Sequence, residues 1–164
     1  MTLEKDINQY TFRSEYQKAA LNLIYTFNWV NEKIDRQFEP FDITQQQFNI
    51  LRILRGAGQP LSTLQIRQRM LDRMSDTSRI VDRLIKKGMV KKTVCREDRR
   101  LVDVLLTDKG KKLLQMMDVL NEEMDAIFKS LSENEARQLN ILLDKIRTVE
   151  TIAEEKPAET PITG

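Results

Sequence analysis

The chain has no histidine and a single cysteine, Cys95, among its 164 residues. Disulfide bonds within one chain, zinc sites built from cysteine and histidine, and histidine-based catalytic triads are therefore excluded. Aspartate and glutamate are plentiful, but no carboxylate pair stands apart from the charged helix surfaces on which these residues ordinarily lie. We expect a protein that is not an enzyme and that holds no metal and no cofactor.

Long apolar runs and helix-breaking residues are also scarce. No stretch approaches the roughly 20 apolar residues of a membrane span, and residues 1–10 lack the apolar core of a secretory signal. With five glycines, four prolines and 40% hydrophobic residues, the composition is typical of a helix-rich globular protein. We expect one folding unit, mainly α-helical, located in the cytoplasm and without a membrane partner.

Charge is distributed unevenly along the chain. Residues 67–100 contain twelve Lys and Arg against five Asp and Glu, whereas residues 118–164 contain five against eleven. A basic central segment between neutral and acidic flanks indicates that one face meets a polyanion.

Apolar spacing and capping residues predict three helices in the first half of the chain. The first runs from about Arg13 to Phe38 and is ended by Pro40. Thr44 and Gln47 form a capping box that opens the second. The pair Ser62 and Gln65 opens a short third helix in the same way. The apolar residues of the first helix are Tyr16, Ala20, Leu23, Phe27, Val30 and Ile34.

A fourth helix and a β-hairpin follow. The helix runs from Ser75 to Lys87, where Gly88 supplies a C-terminal cap. Two β-prone runs, Met89–Arg96 and Leu101–Leu106, are separated by the polar turn Glu97–Arg100 and predict a hairpin.

The C-terminal part is predicted to be helical as well. Thr107 caps a long helix with a heptad pattern, which needs an apolar partner surface. Ser132 and Glu135 open a last helix, and residues from about Ala153 onward are expected to be disordered. The heptad residues are Leu113, Met117, Leu120, Met124, Ile127 and Leu131, and those of the last helix are Leu139, Leu142, Ile146 and Val149.

This order of elements predicts a winged helix-turn-helix, a mainly α fold with a small β-hairpin wing, because a hairpin follows three consecutive helices. We expect residues 41–107 to form the DNA-binding domain. Residues 1–40 and 108–152 are expected to form a helical dimerisation region, and residues 153–164 a disordered tail.

The predicted DNA interface combines the fourth helix with the hairpin. Burial of the apolar side of that helix turns Arg79 toward the major groove, where an arginine can donate to guanine O6 and N7. Arg83 is assigned to a base or to a phosphate. At the hairpin tip, Arg99 or Arg100 is expected to enter the minor groove, oriented by Asp98. The expected DNA-binding residues are Ser75, Asp76, Thr77, Ser78, Arg79, Arg83, Lys86, Lys92, Asp98, Arg99 and Arg100.

Two segments resemble the MarR (multiple antibiotic resistance regulator) family of transcriptional regulators. Residues 98–110, DRRLVDVLLTDKG, match the family's wing pattern without a gap, and residues 75–92 are similar to its recognition helix and the strand after it. The resemblance spans roughly Arg13 to Arg147. It departs from the family at Arg67, where a small residue is usual, and at Asp76. The latter either favours the helix N-terminus electrostatically or accepts from a cytosine.

The resemblance implies a homodimer that binds a pseudo-palindromic operator, with repression as the expected mode of regulation. It also implies release by a small aromatic effector, for which Tyr25, Trp29, Phe38 and Phe41 are the candidate cleft residues, with core packing as the alternative for these aromatics. Cys95 is expected to be a small apolar residue and not a redox sensor, since thiol-sensing members carry their cysteine in the N-terminal helix.

A second hypothesis makes the chain a helical interaction protein whose basic surface binds an acidic protein. Charge and heptads permit it, but it leaves the arginines of the predicted wing unexplained.

Overall fold

The computed structural model describes residues 2–94 and 102–154. The chain divides into two compact units, one ending at Met124 and one beginning at Asp125. Within the described residues, no helix is long and apolar enough to span a membrane. The elements are α1 (Leu3–Asp6), α2 (Glu15–Phe38), α3 (Gln45–Ala57), β1 (Leu61–Ser62), α4 (Thr63–Arg69), α5 (Thr77–Lys86), β2 (Val90–Val94), β3 (Val102–Leu106), α6 (Asp108–Met117), α7 (Leu120–Ala126) and α8 (Glu133–Glu154).

The long N-terminal helix is confirmed, and it begins slightly later than its spacing predicts. Ser14 is the N-cap of α2 and accepts a hydrogen bond from the Gln17 amide at 3.2 Å. After α2 a 3-10 turn containing Pro40 leads to Asp42, which has a positive φ of 49°. The short helix α1 was not predicted, because four residues carry no apolar period.

Both capping boxes of the helix-turn-helix region, which comprises α3, α4 and α5, are confirmed. The Thr44 hydroxyl accepts from the Gln47 amide, and the Gln47 side chain accepts in return from the Thr44 amide, each at 3.2 Å. Ser62 and Gln65 repeat the arrangement at the start of α4. At the start of each of these two helices, two backbone amides that the helix itself leaves unpaired thus find a partner in the capping box.

The two hairpin strands are confirmed, and a third strand joins them. β2 and β3 pair antiparallel from Val90 opposite Leu106 to Val94 opposite Val102. The other edge of β3 pairs with β1, which gives the sheet order β1-β3-β2. The sequence did not predict β1, since two residues cannot show a strand periodicity.

The core of the first unit lies where α3, α4 and α5 meet the sheet and α6. Leu51 from α3, Leu84 from α5 and Val104 from β3 are almost completely buried. The helix pattern and the strand pattern therefore converge on one apolar centre, which fixes α5 and the hairpin relative to each other. Other fully buried side chains are Ile50, Leu61, Ile66, Val81, Val90, Leu114 and Met117.

The prediction of one long heptad helix after Thr107 was wrong. α6 ends at Met117, α7 begins at Leu120, and α7 ends at Ala126. Hydrogen bonds between residues three apart span the interruption, from the Asp118 amide to the Gln115 carbonyl and from the Asn121 amide to the Asp118 carbonyl. Met117 and Leu120 are buried in the chain's own core, so these two positions do not need a second chain.

The last helix begins as predicted. The Ser132 amide and hydroxyl both donate to the Glu135 carboxylate at 2.8 Å, and these bonds, led by the one from the amide, lower the pKa of Glu135. α8 continues to Glu154, so Ala153 is still helical. The rest of the predicted tail, residues 155–164, and the side chain of Val149 lie outside the described residues.

Candidate nucleic-acid interface

The helix α5 is held at its N-terminus by a short network of polar side chains. The Ser75 hydroxyl donates to Asp72 at 2.6 Å, and the Met74 amide donates to the same carboxylate at 2.9 Å. These bonds, led by the one from Ser75, lower the pKa of Asp72. Ser75, predicted as the helix start, therefore lies in the preceding turn.

Asp76 caps α5 and also contacts Arg79. One carboxylate oxygen accepts from the Arg79 amide at 3.2 Å. The other lies 3.0 Å from Nε of the Arg79 side chain, which is 81% exposed. Among the described residues, no partner occupies the two terminal nitrogens of Arg79. An arginine held in this way presents its outer edge to solvent with part of its rotamer freedom already lost.

The outward face of α5 carries most, but not all, of the predicted residues. Ile80 and Ile85 are half-buried, while Val81 and Leu84 are buried and turn the opposite side to solvent. The expectation that Thr77 faces outward was wrong: it is only 4% exposed. Its hydroxyl lies 3.5 Å from the Ser75 carbonyl, the partner that a buried hydroxyl requires. The exposed predicted residues of this helix are Ser78, Arg79, Arg83 and Lys86.

The hairpin brings a further basic residue beside α5. Lys92 on β2 lies 3.3 Å from the Asp82 carboxylate on α5, and both side chains are more than half exposed. The structure therefore places Lys92 next to the outward face of α5. Asp98, Arg99 and Arg100 lie outside the described residues, as does Cys95.

A tight junction fixes the base of the hairpin. The Gly110 amide donates to the Thr107 hydroxyl at 3.1 Å, and that hydroxyl lies 2.7 Å from the carbonyl of Gly88. A Cβ built on Gly110 would stand 2.2 Å from the backbone oxygen of Met89. Only glycine allows α6 to approach the start of β2 this closely.

The four aromatics predicted for an effector cleft are not brought together. Tyr25 and Trp29 line a cavity of about 290 Å³ with Leu3 of α1. Phe38 is 2% exposed and packs on Phe48 with ring centroids 5.0 Å apart. Phe41 is half-buried against the same core. Phe38 and Phe41 therefore serve packing.

A larger groove lies between α2 and the helix-turn-helix region. Its volume is about 640 Å³, and Asn49, a polar residue only 8% exposed, forms part of its wall. Gln45 crosses the groove's edge by donating to Asp35 at 3.0 Å and to the Asn31 carbonyl at 3.3 Å. Sequence reasoning missed this groove because its lining comes from three separate segments. The lining residues are Phe27, Asn31, Asp35, Thr44, Gln45, Gln46, Asn49, Met70, Leu71 and Asp72.

A cavity of about 450 Å³ opens directly beside the N-terminus of α5. Leu64 from α4 and Met74 from the loop after it line this cavity together with residues 75–78. Leu64 is 63% exposed and Met74 is 93% exposed. In the sequence Leu64 is one of the apolar residues of the short helix that Ser62 and Gln65 open, and no role was predicted for Met74.

The residues that the structure describes contain no cluster of three or more acidic or cysteine side chains able to hold a metal ion.

Comparison with known proteins relates the chain to MarR proteins. A MarR family model matches residues 41–101. A MarR transcription factor from Planctomyces limnophilus is 30% identical, with 89% of this chain and all of that chain covered at a TM-score of 0.59. A mutant MarR from E. coli, solved with operator DNA, is 26% identical over 76% of this chain and 91% of that one, with a TM-score of 0.68.

A third solved structure shares the fold at lower identity. It is an organohalide-sensing transcriptional regulator in its 2,4-dichlorophenol-bound form, 19% identical, with 95% of this chain and 96% of that one covered at a TM-score of 0.77. Because the chain has the winged helix-turn-helix fold and is 30% identical to a MarR transcription factor over 89% of its length, it belongs to the MarR family of transcriptional regulators.

Proposed function

We propose that the chain is a DNA-binding repressor that occupies a pseudo-palindromic operator as a homodimer. The observation that carries the proposal is the capped helix α5, which presents an exposed, oriented Arg79 beside a β-hairpin inside the most basic segment of the chain. This is the arrangement in which a helix enters the major groove and a wing follows the backbone. The E. coli relative was solved on operator DNA.

The proposed contacts divide into base reading and backbone binding. Arg79 reads a base, because a bidentate arginine recognises guanine. Ser78 at the start of the helix donates to phosphate, whereas the Ser75 hydroxyl, also expected at the DNA, already donates its one proton to Asp72. Lys86 and Lys92 bind phosphates, and Arg83 lies one turn beyond Arg79 for a base or a phosphate. We propose the minor groove for Arg99 or Arg100, with Asp98 as their orienting partner.

The proposed dimer interface comes from the helices outside residues 41–107. On α2 the side chains of Leu23 and Phe27 are 46% and 60% exposed, and on α8 those of Leu142 and Ile146 are 58% and 60% exposed. Apolar helix faces of this kind stay in water only at a cost, so a second copy that covers them is favoured. A two-fold dimer places its two recognition helices about 34 Å apart, one helical turn of DNA.

We place the effector site in the groove between α2 and the helix-turn-helix region. Gln45 joins these two parts through Asp35, so a ligand that competes for this contact changes how α3 is held. Movement of α3 shifts the packed helix α5, since interiors are close-packed and transmit displacement. The relative bound to 2,4-dichlorophenol supplies a first probe.

The proposal requires no catalysis, because every step is binding or release. It also places the protein in the cytoplasm, where bacterial operators are found.

The test is selection of duplexes from a random pool by the purified full chain, followed by titration of the best duplex in rising salt. We expect a two-fold-related sequence and an affinity that falls about 10³-fold or more between 50 and 200 mM salt, since a dimer displaces many counterions. Enrichment of no sequence, or an affinity that salt does not change, would reject the proposal and favour an acidic protein as the partner. Addition of 2,4-dichlorophenol tests the effector arm separately.

A further inference from the structure

The surface proposed to bind DNA carries two apolar side chains that are neither buried in the core nor among the proposed polar contacts. Leu64 and Met74 are exposed, yet they line one cavity with residues 75–78 at the start of α5. An isolated exposed leucine or methionine is ordinary on a protein surface. Two of them beside the residues proposed to bind DNA call for an explanation, because DNA binding would bury them against the duplex.

The surroundings of this pair favour DNA as the occupant. Arg67 lines the same cavity, and Arg69, Arg73 and Arg79 are exposed close by in sequence. Asp76 lines the cavity as well, where it caps α5 and pairs with Arg79, and Asp72 nearby accepts from Ser75, so the four arginines outnumber these two carboxylates. The arginines around Leu64 and Met74 complement the phosphates of DNA, and the two apolar side chains complement an apolar group on the edge of a base.

In the major groove the apolar group that a base presents is the 5-methyl of thymine, and apolar side chains recognise it by contact. We propose that Leu64 and Met74 read thymine methyl groups in each operator half-site. The inference rests on the proposed function. It adds a base preference that the polar residues of α5 do not provide.

The consequence is a defined sequence rule. Thymines should lie next to the base read by Arg79, on the side reached by the loop before α5. Each buried methyl should contribute roughly fourfold to affinity, the equivalent of one apolar carbon removed from water.

Deoxyuridine tests the rule because it pairs like thymine and lacks only the methyl group. Each thymine of the best selected duplex is replaced in turn, and the dissociation constant is measured for the wild type and for Leu64→Asn and Met74→Gln. We expect the wild type to lose roughly fourfold at one or two thymines per half-site. The variants should lose little further affinity at those same thymines.

Val119 provides the control. It is an apolar residue, 68% exposed, in the break between α6 and α7. Val119→Asn should keep the wild-type response to deoxyuridine. Both test residues are exposed, so folding is preserved and circular dichroism verifies it.

Two outcomes overturn the inference. Either no thymine methyl affects wild-type affinity, or the methyl effects persist unchanged in both Leu64→Asn and Met74→Gln. In each case the wild type still binds its duplex tightly, so the proposed function stands. If the wild type selects no duplex at all, the proposed function fails and this inference fails with it.

Discussion

Asp76 holds Arg79 twice, once through the backbone amide at 3.2 Å and once through the guanidinium Nε at 3.0 Å. One carboxylate therefore both caps α5 and orients the Arg79 side chain. The sequence left two interpretations of Asp76 open, a favourable charge at the helix N-terminus and acceptance of a hydrogen bond from cytosine. The structure shows a hydrogen-bonded cap, which neither interpretation included.

Replacement of Asp76 separates these two roles. Asp76→Ala should lower the free energy of unfolding by about 1 kcal/mol, the usual loss for an N-cap. Asp76→Asn keeps a capping oxygen and should stay within about 0.5 kcal/mol of the wild type, because asparagine caps as well as aspartate does. Urea denaturation measures both. Equal losses in the two variants would show that the ion pair, not the cap, stabilises α5.

Arg79 and Lys92 should differ in the kind of affinity they supply. Arg79→Ala should cost about 1 to 3 kcal/mol at one base position and relax specificity there, whereas Lys92→Ala should weaken all duplexes similarly. Binding to the selected duplex and to a random duplex measures the difference. Arg13→Ala removes an exposed arginine outside the basic segment and should change neither affinity. Equal losses on both duplexes for Arg79→Ala would contradict the role in base reading.

Gly110 should be intolerant of any side chain. Gly110→Ala places a methyl 2.2 Å from the Met89 carbonyl, and backbone cannot move away as a flexible side chain can. We expect a loss of about 2 kcal/mol in unfolding free energy, as for overpacked sites. Gly56 in α3 is the control, because a methyl there meets no atom within 4 Å. Gly56→Ala should be neutral or should stabilise by up to about 1 kcal/mol. An unchanged free energy of unfolding for Gly110→Ala would show that the backbone at Met89 can move away from the added methyl group.

Acid should detach α1 from α2. The hydrogen bond from Lys18, at 2.6 Å, is the main cause that lowers the pKa of Glu4 from 4.5 to about 2. A carboxyl whose pKa is lower in the folded state stabilises it fully above the unfolded pKa. The contribution is lost as pH falls from about 4.5 toward 2.

Trp29 reports this change. It is the single tryptophan and lines a cavity with Leu3 of α1. Its emission should shift to the red across that pH range in the wild type, and already at pH 7 in Glu4→Gln. Glu39→Gln removes an exposed carboxylate just after the C-terminal end of α2 and should behave as the wild type does. A pH-independent emission in the wild type would show that the ion pair does not hold α1.

The sequence predicted those parts of the fold that local chemistry determines. Thr44 with Gln47 and Ser62 with Gln65 are readable because a capping box satisfies its own backbone within four residues. The hairpin strands were readable because two β-prone runs flank a polar turn. The exposed residues of α5 followed from its apolar spacing, except for Thr77, whose burial depends on the turn before it.

What the sequence could not predict depends on contacts between distant segments. The break between α6 and α7 contains no glycine or proline, and Met117 and Leu120 keep the apolar spacing across it, so the periodicity continues. Asp118 at the break pairs with Arg55 of α3 at 2.8 Å, 63 residues away. The groove crossed by Gln45 is likewise formed only when α2 meets α3.

The order of strands in the small sheet has a consequence for the protein in a crowded cell. β3 has both edges occupied, by β1 and by β2, whereas β2 is an edge strand. An open edge invites a foreign strand, and exposed lysines are a common means of preventing such pairing. Lys91 and Lys92 are exposed on this strand. The charge proposed to attract a phosphate backbone would therefore also keep free molecules from joining edge to edge while no DNA covers them.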